Sequence, residues 1–178
     1  MISPFSVKPK PQNNYSKGFV IGLLACAAGL CILYLSIEKY KGIVGMLVIG
    51  FITAAVLIYT KYVAPIYFYD LTFDSENKPV FVVRQRTGRR ESTLCRVDLC
   101  NIKRVEKETA EQRRSHKTER GYLKYIYTPT MFPEVTYRLT VSSRYEKAEI
   151  VIEITNELAE ALAAFAKEAQ ELYIDDEE

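Results

Sequence analysis

Histidine is almost absent from this sequence of 178 residues, which contains only His116. A zinc site needs two close pairs of nitrogen or sulfur ligands, and a single histidine cannot supply such a pair. The neighbouring Ser115 does not form a catalytic pair with it, because adjacent residues rarely orient each other and no buried acid can be assigned as a third member. Glycine-rich phosphate loops are also lacking. We therefore expect no metal, no cofactor and no enzymatic activity.

Cysteine is scarce as well, and its four positions do not suit disulfides. Cys26 and Cys31 lie inside an apolar run. Cys95 and Cys100 are too close in sequence for a useful loop, and their odd separation places them on opposite faces of a strand. A small secreted domain held together by disulfides is therefore excluded, and we expect four reduced thiols.

Charge is missing from two long stretches, residues 18–37 and 42–60. A helix of about twenty residues covers about 30 Å, which is the thickness of the hydrocarbon core of a bilayer. The segment 38–41 between them is charged and belongs in water, since each charge costs about 2.5 to 3.5 kcal/mol at the bilayer centre. The sequence thus predicts an N-terminal tail at 1–17 and a transmembrane helical hairpin at 18–64.

Basic residues flank the two predicted spans unequally. Lys8, Lys10 and Lys17 precede the first span and Lys61 follows the second, whereas the short tip carries two lysines beside one acid. Because short basic flanks stay on the cytoplasmic side, we expect both termini to be cytoplasmic. The predicted location is the cell (cytoplasmic) membrane, crossed twice.

Small residues recur at helical spacing in both spans. They are Gly18, Gly22, Ala25, Gly29, Gly50 and Ala54. Small side chains let helix backbones approach closely, either within the hairpin or in a homo-oligomer, and both interpretations stay open. Neither span has a strongly polar residue near its middle, so we do not expect a transporter that acts alone.

Beyond Pro65 the hydrophobic period changes from helical to twofold. Alternating apolar residues predict seven strands, at 67–73, 80–86, 91–97, 99–108, 122–128, 135–141 and 148–154. Such alternation is typical of antiparallel sheets with one solvated face. A final helix begins at Thr155 or Asn156. Its apolar stripe consists of Leu158, Leu162, Phe165, Ala169 and Leu172.

Seven strands followed by one helix, with "LCRVDLCNIKRVEKE" at the fourth strand and "IVIEITNELAEALAAFAKEA" at the end, form a distinctive order. After a hairpin of two spans, this order is similar to that of the membrane-anchored bacterial pleckstrin-homology-like (PH-like) domain proteins. The resemblance covers residues 15–174 and rests on hydrophobic patterns. It implies an α+β fold in which a seven-stranded antiparallel PH-like β barrel or sandwich, with sheets of four and three strands and a C-terminal capping helix, occupies 65–178. The alternative is another small β barrel with a terminal helix.

Pleckstrin-homology domains bind inositol phosphates through bases near the loop that joins their first two strands. Here that loop reads "DSENKP", with Asp74 and Glu76 against Lys78, so this property does not carry over. Bases gather instead at the next turn. They are Arg84, Arg86, Arg89 and Arg90.

Guanidinium groups can hold phosphate or carboxylate by two parallel hydrogen bonds. The arginines at this turn are therefore candidates for binding an anionic lipid head group or an acidic protein partner, or they form a solvated hairpin that protects a sheet edge. Nucleic acid is not expected, because no aromatic stacking platform accompanies the bases.

The polar segment 108–120 is predicted to be an exposed loop. Its residues Arg113, Arg114 and His116 are candidates for contacting a protein partner, since such loops often carry binding residues. Together these features predict a non-enzymatic integral membrane protein that displays a cytoplasmic domain and binds a protein partner or an anionic lipid. The alternative is an accessory subunit of a membrane transport or envelope-assembly complex, with the hairpin as the interface.

Overall fold

The computed structural model describes residues 5–36, 38–118, 120–143 and 146–175. The chain divides into two compact units. One is Asn13–Pro65, and the other joins Met1–Gln12 to Ile66–Glu178.

The first unit is a pair of apolar helices that pack against each other. Helix α1 covers Tyr15–Ser36, and α2 covers Lys41–Ile58 and continues as a π-helical turn at Tyr59–Val63. Both are long and apolar enough to cross a membrane, and only 11% of each apolar stretch is buried. The two predicted helices are therefore present; Ile37, the predicted end of the first, lies outside the described residues.

The first sheet of the second unit has four strands in the order β1-β2-β3-β4. They are β1 Phe5–Val7, β2 Pro65–Phe73, β3 Pro79–Thr87 and β4 Arg90–Asp98. Strand β1 comes from the segment expected to be a tail, and it pairs antiparallel with β2, placing Ser6 opposite Asp70. Three residues are too few to show alternation, which is why the sequence did not reveal this strand.

The second sheet also has four strands, in the order β5-β7-β8-β6. They are β5 Ile102–Thr109, β6 Leu123–Tyr127, β7 Val135–Ser142 and β8 Lys147–Ile152. A 3₁₀ turn, Leu99–Asn101, precedes β5, and a short helix α3, Ala110–Ser115, follows it. Strand β6 pairs parallel with β8, with Tyr125 opposite Ile150, because residues 128–134 carry the chain across to β7 on the far side of β8.

The α+β class is confirmed, but the expected seven-stranded antiparallel barrel or sandwich is wrong in the number of strands, in their all-antiparallel pairing and in closure as a barrel. The described residues form eight strands in two four-stranded sheets, the second sheet is mixed, and the strands do not close into a barrel. Parallel pairing joins strands that are not consecutive in sequence, so local alternation cannot predict it.

The core lies between the inward faces of the two sheets and helix α4, Asn156–Asp175. Thr155 Oγ1 accepts a hydrogen bond of 3.3 Å from Leu158 N at the start of α4, as predicted. The helix packs on the 3₁₀ turn and on β5. Of the predicted stripe, Leu162 and Ala169 are buried, and the side chain of Leu172 lies outside the described part.

Candidate functional site

The β3–β4 hairpin places the predicted arginines on one end of the first sheet. In the backbone register of the two strands Arg86 lies opposite Glu91 and Thr87 lies opposite Arg90, so Gly88 and Arg89 form the turn. Gly88 adopts φ +61°, which is strained for residues with a Cβ, and this explains the glycine at the turn. The tip is exposed, and Arg86, Arg89 and Arg90 make no ion pair with any residue in the described ranges.

Arg84 differs from its three neighbours because it is held by two acids. Its Nε donates to Asp70 Oδ2, and its Nη1 lies 3.2 Å from Glu91 Oε1. The hydrogen bond to Asp70 raises the pKa of Arg84 above its ordinary value. The side chain of Asp70 is only 9% exposed, so this pair orders the middle of the sheet's outer face. Arg84 is thus less available to a ligand than the other three.

An aromatic ring supports these arginines, and the sequence analysis did not identify it. The Arg84 and Arg86 guanidinium carbons lie 5.9 and 5.4 Å from the centroid of the Phe68 ring, within cation–π range. The alternation of β2 could have indicated this position of the ring, because Phe68 and Asp70 are two residues apart and share the outward face of the strand. The Phe68 ring therefore lies beside the guanidinium groups of both Arg84 and Arg86 on this face of the sheet.

The second predicted group, Arg113, Arg114 and His116, is not a free loop. Arg113 lies on helix α3, which begins with a capping box formed by Thr109 and Gln112. Arg113 donates from Nη1 to Thr136 Oγ1 at 3.1 Å and from Nη2 to Pro133 O at 2.7 Å. It therefore ties α3 to the second sheet.

His116 is likewise in contact with this sheet, since its Nε2 lies 3.2 Å from Glu149 Oε1. Arg114 is exposed and has no ion pair within the described part of the chain. Only Arg114 of this group is presented to solvent in the way the sequence analysis expected of all three. The capping box, readable as threonine and glutamine three positions apart, was the signal for a helix here.

A buried ionic cluster lies beneath this segment, on the outer face of the second sheet. Arg138 is 1% exposed, and its Nη1 lies 3.2 Å from Glu149 Oε2. Its Nη2 lies 2.6 Å from Glu108 Oε1, an ion pair that does not meet hydrogen-bond geometry. Glu108 and Glu149 are also buried. We define the buried ionic cluster as Glu108, Arg138 and Glu149.

A further buried carboxylate, Glu153, accepts a hydrogen bond from Gln12, in the segment that precedes α1. Its oxygens accept hydrogen bonds from Gln12 N at 3.0 Å, Thr130 N at 3.1 Å and Thr130 Oγ1 at 2.7 Å. Burial raises the pKa of this carboxyl, and the three donors partly oppose that effect.

The Gln12 side chain adds two short bonds to the loop before β7. Its Nε2 donates to Val135 O and its Oε1 accepts from Glu134 N, each at 2.7 Å. These contacts span more than a hundred positions in sequence, so no local pattern could have predicted them.

Cys95 and Cys100 show no sign of activation. Burial raises the pKa of the Cys95 thiol to about 11, and burial also raises that of Cys100. Thiolates are scarce at such pKa values, and a scarce thiolate makes a poor nucleophile.

Comparisons with family models, curated proteins and solved structures find no match for this chain. What the site can bind is therefore inferred from the geometry of its residues alone. The hairpin offers three exposed guanidinium groups, one of them against an aromatic ring, and such groups bind phosphate and carboxylate.

Proposed function

We propose that this chain is a two-pass membrane protein that displays a cytoplasmic PH-like domain and binds an anionic lipid head group through its β3–β4 hairpin, without catalysing a reaction. The observation that carries the proposal is the group Arg86, Arg89 and Arg90, which is exposed and without acidic partners in the described residues. An acidic protein partner could meet the same chemistry and is an outcome of the test below.

The basic flanks support the proposed orientation. Lys8, Lys10 and Lys17 lie before the first helix and Lys61 near the end of the second, and basic flanks favour the cytoplasmic side. A cysteine replacing Tyr40, with the native cysteines changed to serine, should react in intact cells with a thiol reagent that cannot cross membranes. A C-terminal cysteine should not react, and labelling of both would overturn the topology.

The PH-like assignment rests on element order. A β sandwich followed by a helix packed on its core agrees with the resemblance. Two four-stranded sheets, one of them mixed, depart from the expected four and three strands. The assignment therefore remains part of the proposal.

Electrostatics support a lipid head group as the ligand. Each arginine near an anionic leaflet contributes about 1 kcal/mol of attraction, so three contribute about 3 kcal/mol at low ionic strength. Tethering by two membrane helices raises the effective concentration of head groups, so contacts of this strength are sufficient.

The test uses the full-length chain in mild detergent, because a fragment that begins at Ile66 would lose β1 and the hydrogen bonds of Gln12. Native mass spectrometry would count phosphatidylglycerol and phosphatidylcholine molecules retained from an equimolar mixture. The variant Arg86→Gln, Arg89→Gln, Arg90→Gln should lose most of the preference for phosphatidylglycerol.

The matched control is Lys103→Gln, Lys107→Gln, Lys124→Gln, which removes three exposed positive charges from the other sheet. It should keep the preference. Equal losses in both variants would indicate net charge alone and overturn the hairpin site. Retention of an acidic protein by the wild type but not by the hairpin variant would assign the site to a protein partner instead.

A second candidate function has its own observation in the helical unit. A methyl group added at Gly18, Gly22, Gly29 or Gly50 would meet no neighbour within 4 Å among the described residues, whereas one at Gly45 would lie 3.5 Å from Tyr34 Cε2. These four glycines are therefore not used to pack the helical hairpin on itself, whereas Ala27 and Ala55 are buried in it. This favours use of the glycines between chains, in a homo-oligomer or as an accessory subunit of a membrane complex.

Isoleucine substitutions distinguish packing within the helical hairpin from packing between chains. Gly22→Ile with Gly50→Ile should leave the hairpin intact but disrupt an assembly held by these glycines, as measured by light scattering in detergent. Gly45→Ile is the contrasting variant, because it should disturb the hairpin itself. An unchanged mass for the glycine variant, with an oligomeric wild type, would overturn this second proposal.

A further inference from the structure

The loop between β6 and β7, residues 128–134, presents an aromatic ring from a well-anchored backbone. Four of its seven residues are buried. Thr130 donates from its hydroxyl to Glu153 Oε1 at 2.7 Å, and Arg113 donates to a carbonyl oxygen of the loop, also at 2.7 Å. Within this anchored segment Phe132 is 55% exposed. The loop therefore holds a phenyl ring at the surface in a defined place.

Exposure of one apolar side chain does not by itself indicate a partner, because single exposed apolar residues are common on protein surfaces. The kind of partner follows instead from the position of the loop in the chain. Both ends of the loop are hydrogen-bonded to segments that lead directly into the apolar helices.

The second end of the loop is bonded to the segment that precedes α1. Gln12 Nε2 donates to Val135 O, and Gln12 Oε1 accepts from Glu134 N, each at 2.7 Å. Gln12 precedes Tyr15, the first residue of α1, by three positions. Consecutive Cα atoms are 3.8 Å apart, so the Cα atoms of Gln12 and Tyr15 are separated by at most about 11 Å.

The first end of the loop is bonded to the strand that follows α2. Tyr127 O, directly before the loop, accepts a hydrogen bond of 2.7 Å from Tyr69 OH. Tyr69 lies four positions after Pro65, the first residue of β2, and the apolar stretch of the second helix ends at Val63. Four residues of a strand cover about 13 Å. Chain length alone therefore keeps both ends of the loop close to the ends of the two apolar helices.

We propose that Phe132 inserts into the membrane interface and gives the domain a third attachment to the bilayer, in addition to its two covalent links. Apolar side chains of proteins that lie on membranes bury about 5 to 10 Å into the boundary between head groups and acyl chains. The loop contains one acid, Glu134, and no base, so burial of apolar surface drives the insertion rather than charge. The inference rests on the two-pass membrane protein of the proposed function, but not on its arginine site.

The test uses tryptophan fluorescence, because the sequence contains no tryptophan and one introduced residue reports on one position. Full-length Phe132→Trp would be placed in phosphatidylcholine nanodiscs with and without brominated acyl chains, which quench a tryptophan that reaches them. We expect the emission to fall by about half, as for a ring at the boundary of the acyl chains. Phosphatidylcholine has no net charge, so the arginines of the hairpin do not influence the result.

Two control variants separate the possible failures. Leu123→Trp places the probe at an exposed position at the other end of β6, about 13 Å along the strand from Tyr127, and it should not be quenched. Ile49→Trp lies in the middle of α2 and should be quenched most strongly. An unquenched Ile49→Trp would contradict the two-pass membrane protein itself.

Quenching of Ile49→Trp without quenching of Phe132→Trp would overturn the insertion of the loop and leave the membrane helices in place. Equal quenching at positions 132 and 123 would also overturn it, because the contact would then not be specific to the loop.

A second measurement covers the case in which tryptophan distorts the loop. Phe132→Cys would carry a nitroxide label, with the four native cysteines changed to serine. The label should collide more often with oxygen, which dissolves in lipid, than with a nickel chelate that stays in water. A label on Leu123→Cys should show the reverse ratio. The same reverse ratio at position 132 would overturn the insertion.

Discussion

Arginine side chains have opposite roles in the two sheets. In the second sheet Arg138 is 1% exposed and lies between two carboxylates, whereas Arg86, Arg89 and Arg90 at the end of the first sheet are exposed and lack acidic partners in the described residues. A guanidinium that is already paired and buried supports the fold and cannot hold a ligand. One that is exposed and unpaired contributes little to the fold and remains available for binding.

Arg84 lies between these extremes and shows what decides the difference. It is on the same strand as Arg86, yet Asp70 and Glu91 hold it. Thus two arginines on the same strand have different roles: Arg84 contacts two acids on the neighbouring strands, whereas Arg86 forms no ion pair within the described residues, although Glu91 lies opposite it in the register.

The largest effect should come from Arg138→Leu. It leaves two buried carboxylates without their guanidinium, and we expect a loss of about 3 to 5 kcal/mol in the free energy of unfolding. Thermal unfolding in detergent, followed by circular dichroism, measures it. Adding Glu108→Leu and Glu149→Leu should restore most of the loss, since a well-packed apolar replacement of a buried ion pair is often neutral. A single variant as stable as the wild type would contradict the structural role.

A smaller loss is expected for Gln12→Ala. The substitution removes the side-chain hydrogen bonds to Glu134 and Val135 but keeps the backbone donor to Glu153, so we expect a cost of about 1 to 2 kcal/mol. Denaturant unfolding measures it. Gln85→Ala, which removes a side-chain bond of 3.5 Å in the first sheet, is the control and should cost less. Equal costs would show that Gln12 does not hold the N-terminal segment.

The pH dependence of Glu153 should be smaller still. Burial raises its pKa in the folded state, so the folded chain binds this proton more readily than the unfolded chain does. Its contribution to stability is therefore greatest below the ordinary glutamate range and falls as the pH rises through the raised pKa. Unfolding measured at several pH values should show this slope in the wild type and not in Glu153→Gln. Parallel curves for the two proteins would contradict it.

The smallest effect on stability should come from substitutions in the β3–β4 hairpin. Arg86→Gln, Arg89→Gln and Arg90→Gln together should change the free energy of unfolding by only about 0.5 kcal/mol, because the three side chains are exposed and a cation–π contact such as that of Arg86 with Phe68 is weak at an exposed site. The same variant should lose lipid preference, as described above. A large loss of stability would mean that these arginines serve the fold as Arg138 does.

Much of the element order was predictable from the sequence. The two apolar helices fall close to the predicted spans, and strands such as β3, β4 and β7 fall close to their alternating segments. Hydrophobic periodicity is a local property, and these elements bury a continuous face, so the pattern appears in consecutive residues.

The missed strand and the missed pairing share one physical cause. Strand β1 is only three residues long and is defined by its pairing with β2, and the parallel pairing of β6 depends on a crossover. Both depend on a partner far away in the chain rather than on neighbouring residues. Helix α3 is a different case, because its capping box was a local signal in a segment interpreted as an exposed loop.

By itself, therefore, the sequence determined the two apolar helices, most strands, the final helix and the exposed arginines at the Gly88 turn, since each follows from spacing within a few residues. Only the tertiary structure decided which outward faces are covered. Arg138 and Glu149 occupy positions that alternation assigns to solvent, yet they are buried, because residues 110–118 and Glu108 pack against them from other parts of the chain. The alternation of apolar and polar residues predicts which face of its own sheet a side chain occupies. Whether that side chain is buried also depends on whether another part of the chain packs against that face.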